Sequence, residues 1–160
     1  MTDSHPKFLK FLDKSAKPVW WYAQLLVWKG KTIQISPTTK AETYDEWANH
    51  IDEGDLYVRF MNDVWERIEV KEVRRPFCSR ETWPFPDFIV NAKSTHDRSN
   101  PKPLTYVVIS PDREGLAYVH VKETFGHWYV ENRKCGQYKD YYRDFYIINL
   151  EHVIWKVPGD

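Results

Sequence analysis

One segment constrains this chain more than any other: DLYVRFMNDVWERIEVKEV, residues 55–73. From Asp55 to Met61 apolar and polar residues alternate, with Leu56, Val58 and Phe60 on one face. Asn62-Asp63 reads as a turn. The alternation resumes from Trp65 to Val73, with Ile68 and Val70 on one face. A period of two is the strand period, and a one-residue slip would turn every apolar side chain to water. The segment therefore predicts a β-hairpin with one buried side. The same period sends Glu69 and Lys71 together to the side opposite Ile68 and Val70. Asp55 falls opposite Leu56, Val58 and Phe60. If the apolar faces of the two strands coincide, Asp55, Glu69 and Lys71 converge on the other face.

Two carboxylates and a lysine at one place are a chemical constellation. Magnesium takes hard oxygen ligands and keeps several waters. A bound metal polarises a phosphoryl oxygen and lowers the pKa of a water. An ammonium beside it can position the attacking water or neutralise charge growing on the phosphorane. Upstream, Thr39-Lys40-Ala41-Glu42 matches a capping box. It predicts a helix from there to about Asp52, with Ala41, Tyr44, Trp47, Ala48 and Ile51 on one face and Gly54 ending it.

Helix, Asp55, hairpin and Glu69-Val70-Lys71 in that order resemble the PD-(D/E)XK nuclease superfamily. The resemblance covers roughly residues 39–73. It departs from the usual motif at Gly54, which stands where a proline precedes the first aspartate. The resemblance implies an α/β fold: a restriction-endonuclease-like mixed β-sheet flanked by a few helices, β-rich overall. It implies a DNA endonuclease that hydrolyses phosphodiester bonds with Mg²⁺, or Mn²⁺ in its place. Asp55, Glu69 and Lys71 would be catalytic, with Asp55 and Glu69 as metal ligands. The family often adds a carboxylate from the preceding helix. Asp45, at the edge of the buried face, is preferred here, then Glu42, while Glu46 points nearly opposite the apolar stripe. A homodimer is also implied, since cutting two strands needs two sites, although no dimer motif is legible.

A plainer account competes. Eleven glutamates among 160 residues predict about one E-x-K by chance. Alternating Glu and Lys is also a common solvated strand face, where such a pair contributes little. The chain would then be a noncatalytic binding or interaction domain with an aromatic-rich surface. Two further sites imitate the motif. Pro111-Asp112 precedes His120-Val121-Lys122, but His is a poor Mg²⁺ ligand and Asp112 sits in an expected turn. Pro86-Asp87 has no E-x-K at suitable spacing downstream.

Charge bears on the choice. The 23 basic and 23 acidic residues give a formal net charge of zero. That excludes a polycationic nucleic-acid clamp, though not an enzyme with a local basic groove. Arg67, Arg74, Arg75 and Arg80 lie near the hairpin, and Lys93, Arg98 and Lys102 form a second basic stretch. Arg67, Arg74, Arg75, Lys93, Arg98 and Lys102 are the candidates for DNA phosphate contacts. Trp20, Trp21, Trp28 and Trp47 could stack on bases, but packing is the commoner use of such rings. The six histidines have no metal spacing, and the two cysteines suggest neither a disulfide framework nor zinc.

The rest of the chain reads as one domain, residues 1–160. A short helix is expected over residues 4–14, with Phe8, Leu9, Phe11 and Leu12 on its apolar side. Strands are expected at 19–28 and 32–36, joined by a hairpin turn at Lys29-Gly30-Lys31. Further strands are expected at 88–90, 104–110, 116–122, 127–131, 145–149 and 152–157. Residues 136–144 read as a loop or short helix. The charged N-terminus has no signal-peptide pattern, and no apolar run is long enough to span a membrane. A cytoplasmic protein is the expectation.

Overall fold

The computed structural model describes residues 4–35, 56–60, 63–135 and 141–160. Helix α1 runs Ser4–Trp28 and is followed by strand β1, Thr32–Ile35. The hairpin is β2, Leu56–Arg59, and β3, Trp65–Glu72. Strand β4, Phe88–Ala92, leads straight into a short helix α2, Lys93–Arg98. Then come β5, Thr105–Ile109, β6, Leu116–His120, and the single turn α3, Val121–Thr124. Strands β7, Tyr129–Lys134, β8, Tyr142–Ile148, and β9, Ile154–Lys156, complete the described elements.

The described strands form two sheets. The larger has six strands in the order β1-β2-β3-β5-β6-β9, and the smaller has the order β4-β8-β7. Among the described residues, all pairings are antiparallel except β3 with β5. The architecture is mixed α/β and rich in strand, as expected. Helix α1 covers one face of the large sheet. Its Val19, Tyr22 and Ala23 are buried with Leu56, Val58, Ile68, Val70, Val107, Ile109 and Leu116. The small sheet covers the other face, where Phe88, Val90, Tyr146 and Ile148 meet Tyr106, Val108, Ala117 and Val119. Burying both faces of β3 and β5 suits the parallel pair, which is seldom found open to water.

The hairpin register is the expected one. Leu56 stands opposite Ile68 and Val58 opposite Glu66, so the apolar faces of β2 and β3 coincide. The strands expected from Phe88 onward all form, with shifted ends.

Two expectations fail at the N-terminal third. Residues 19–28 continue α1 instead of forming a strand. Val19, Tyr22, Ala23 and Leu26 recur at helical spacing, and this period, not strand alternation, matches the face turned to the sheet. Pro18 inside the helix does not end it. The expected hairpin turn is a helix cap instead. Gly30 has φ +80°, its amide donates to the Val27 carbonyl at 2.9 Å, and Lys31 donates to the Leu26 carbonyl at 3.0 Å. That is a Schellman arrangement, which needs a residue in the left-handed region. The apolar side expected at Phe8, Leu9, Phe11 and Leu12 lies outside the described side chains. The expected helix over 39–52, with Glu42, Asp45, Glu46 and Trp47, lies outside the described residues, as do Gly54 and Asp55. The loop-or-helix expectation for 136–144 also fails in part, because Tyr142 to Asp144 belong to β8.

Candidate functional site

Three charged side chains leave the same face of β3. Arg67, Glu69 and Lys71 are two apart, so they point together, away from α1 and toward the small sheet. This face is not solvated. Arg67 is 2% exposed and Glu69 9%, and Lys71 is half-buried. The solvated Glu/Lys face of the plainer account is therefore not what forms. Taking these charges out of water costs several kcal/mol per ion unless partners compensate.

The partners are present. Arg67 donates from Nε to Glu69 Oε1 at 2.8 Å, and its Nη2 also bonds that oxygen. Its Nη1 donates to the Pro101 carbonyl at 3.1 Å. The Lys71 ammonium donates to the Val90 carbonyl at 2.9 Å and to Asn91 Oδ1 at 2.8 Å. It also lies 5.6 Å from the centre of the Tyr106 ring. Strand β5 supplies Tyr106, the register partner of Glu69. Strand β4 supplies Asn91, and α2 brings His96 onto the Tyr106 hydroxyl, 2.7 Å from Nδ1.

His96 is 4% exposed and packed among aromatic rings. Trp128 meets it edge-on at 5.2 Å, Tyr146 at 5.5 Å, and Phe125 stacks at 6.0 Å. Burial pushes its pKa below the usual imidazole value. The charges of Lys102, Arg67 and Lys71 push the same way, and Asp97 opposes them.

The basic candidates fare differently. Arg67, expected to contact phosphate, is an internal ion-pair member, because its strand faces the covering sheet and not solvent. Lys93 pairs with Asp97 at 2.5 Å. Asp97 also accepts from the Tyr146 hydroxyl at 2.7 Å. Lys93 and then Tyr146 hold the Asp97 carboxyl below the usual carboxylate range. Lys102 donates to the His96 carbonyl at 2.7 Å and to the Asp97 carbonyl, closing the end of α2. Arg98 is exposed and donates to the Ser94 carbonyl at 3.2 Å. Arg74 and Arg75 are exposed just past the end of β3. The stretch 93–98 is helical. Arg143, which the sequence did not single out, reaches Ser94 Oγ at 2.8 Å from β8.

The imitations of the motif resolve as structure. Asp112 accepts from Ser110 Oγ at 2.5 Å and from the Glu114 amide at 3.1 Å, so it holds a turn. Lys122 is in α3 and shares no strand with His120. Asp87 binds Arg133 through both oxygens, at 3.0 and 2.5 Å. The tryptophans divide: Trp21 packs on the core, while Trp20 and Trp28 are exposed.

As for metal, the described residues hold no group of three His, Cys, Asp or Glu side chains that could surround an ion. The carboxylate they offer at this site is that of Glu69. Its hard-donor chemistry suits Mg²⁺, which is often held by one or two carboxylates with waters and substrate phosphate. The Arg67 guanidinium competes for that carboxylate. Asp55 and Asp45 lie outside the described residues. Among the described residues, no helix is long and apolar enough to cross a membrane. Comparison with family models, curated proteins and solved structures found no match.

Proposed function

We propose that this chain is a small metal-dependent DNA endonuclease of the restriction-endonuclease-like class. Glu69, with Asp55, would hold Mg²⁺ or Mn²⁺, and Lys71 would assist water attack on a phosphodiester. The observation that carries the reading is that Glu69, buried, and Lys71, half-buried, share one face of a central strand within a polar layer. Displaced from water, such groups have properties set by their neighbours, which is how reactive sites are commonly built. A divalent ion there would supply Lewis acidity and a water of lowered pKa. Lys71 would offset charge growing on the phosphoryl oxygens, in a setting where a fixed ammonium acts more strongly than in bulk water. Arg74 and Arg75 are exposed at the end of the same strand and would meet the phosphate backbone. A homodimer would bring the second site that a double-strand cut requires, and the cytoplasm is the setting that goes with this reading.

A second reading, a noncatalytic interaction domain, is favoured by one observation: Glu69 already has a cationic partner in Arg67. The two separate on incubation with supercoiled, linear duplex and single-stranded DNA in Mg²⁺, Mn²⁺ or EDTA. Metal-dependent cleavage lost in Glu69→Gln and Lys71→Ala supports the enzyme. No cleavage of any form by the folded protein supports the interaction domain.

A further inference from the structure

As far as the Tyr106 hydroxyl, the hydrogen bonds behind Lys71 run in one direction. Asn91 Oδ1 accepts from the Lys71 ammonium at 2.8 Å and from the Ala92 amide at 2.9 Å. Both partners are donors only, so the amide oxygen must face them and the amide nitrogen must face away. That nitrogen donates to the Tyr106 hydroxyl at 3.3 Å. The hydroxyl lies 2.7 Å from His96 Nδ1, a hydrogen bond that either atom could donate.

The chain crosses four elements. Lys71 is on β3, Asn91 on β4, Tyr106 on β5 and His96 on α2. The register of the small sheet shifts between Ile89 and Asn91, an irregularity of the kind that re-aims a side chain at a working position. An amide is an efficient choice at this point: a carboxylate would also accept from Lys71 but could not donate to Tyr106.

We propose that the Tyr106 hydroxyl donates onward to a neutral His96 protonated on Nε2, and that Asn91, Tyr106 and His96 are positioning residues that hold the Lys71 ammonium at one point and in one orientation. What Lys71 then does rests on the nuclease reading; how it is held does not. His96 faces the cations of Lys102, Arg67 and Lys71, the Asp97 carboxylate, and the hydroxyl groups of Tyr106 and Tyr146. It anchors the far end and keeps Tyr106 from turning.

The test uses the full chain with ¹⁵N-labelled histidine and lysine, and four proteins: wild type, Asn91→Ala, Asn91→Asp and Tyr106→Phe. In the wild type at neutral pH, His96 Nδ1 should appear as an unprotonated, hydrogen-bonded nitrogen. Tyr106→Phe should move it toward the value of a free imine nitrogen. Asn91→Ala should shift or broaden the Lys71 ammonium signal, whereas Asn91→Asp should keep that signal and disturb His96. In DNA cleavage, Asn91→Ala should lower kcat about tenfold or more with KM unchanged. A merely structural role would move melting temperature but not split kcat from KM. A proton on His96 Nδ1, or a Lys71 signal indifferent to Asn91→Ala, would overturn the inference. So would cleavage with unchanged kcat in a folded Asn91→Ala protein. If the signals behave as expected but the wild type cuts no DNA, the nuclease reading fails and the holding of Lys71 stands.

Discussion

Arg67 and Glu69 leave β3 on the same side, two residues apart, and meet in a buried ion pair in which Nε and Nη2 of the arginine converge on one carboxylate oxygen. Their side chains are 1% and 12% exposed. Removing one member strands the other in a poorly solvated place. Arg67→Ala or Glu69→Ala should each cost about 3–5 kcal/mol. The double replacement Arg67→Met with Glu69→Leu should recover most of that loss. Urea denaturation of the four proteins checks it, and equal loss in the double variant would contradict the account.

The same pair makes a metal prediction. If Glu69 is the ligand the proposed function needs, Arg67 and the divalent ion compete for it. Mg²⁺ should raise the melting temperature of Arg67→Ala more than that of the wild type, because the ion then takes the place of the lost guanidinium charge. Equal shifts in the two proteins, or none, would count against Glu69 as a ligand. DNA affinity should also be weak without divalent metal and rise with it, since the net charge is zero.

His96 gives the stability a pH dependence. Burial first, then the nearby Lys102, holds its pKa below the unfolded value, so the unfolded chain binds the proton more readily. Stability rises with pH wherever the unfolded state carries more protons. The contribution of neutral His96 is complete above the unfolded value of about 6.5 and is lost as the pH falls through and below it. Melting temperature should drop between pH 7.5 and 5.5, with a shallower drop in His96→Gln. Identical slopes would contradict this.

Two glycines should respond differently to a methyl group. A Cβ on Gly115 would stand 2.2 Å from the Phe77 carbonyl oxygen and 2.9 Å from Cys78 Cα. The backbone at residues 73–77 is held there by the Phe77 amide donating to Ser110 Oγ at 2.9 Å. Gly115→Ala should cost about 1–3 kcal/mol or more. Gly30 has open space around it and only its φ of +80° to protect, so Gly30→Ala should cost about 1 kcal/mol. Equilibrium unfolding of both variants gives the comparison.

Legibility followed the range of the forces involved. The hairpin was readable because alternation over β2 and β3 is local, and it set both the buried face and the shared direction of Arg67, Glu69 and Lys71. The continuation of α1 through Trp28 was missed because Val19, Trp21, Leu25 and Val27 also satisfy strand propensity, and tertiary burial of Val19, Tyr22 and Ala23 decided between the two. The burial of Glu69 was not legible at all. It depends on the small sheet closing over β3, and β4 and β8 lie far away in sequence. Asn91, Tyr106 and His96 carry no motif. Only packing brings them to Lys71, so no spacing rule could have found them.

The central claim is that Glu69 and Lys71 form a reactive site. Its most direct test is cleavage of duplex and single-stranded DNA by wild type, Glu69→Gln and Lys71→Ala, each shown to be folded, in Mg²⁺ or Mn²⁺ and in EDTA. The account predicts cleavage that needs the metal and falls about 100-fold or more in each variant. Cleavage that survives both substitutions, or a folded wild type that cuts no form of DNA, would contradict it.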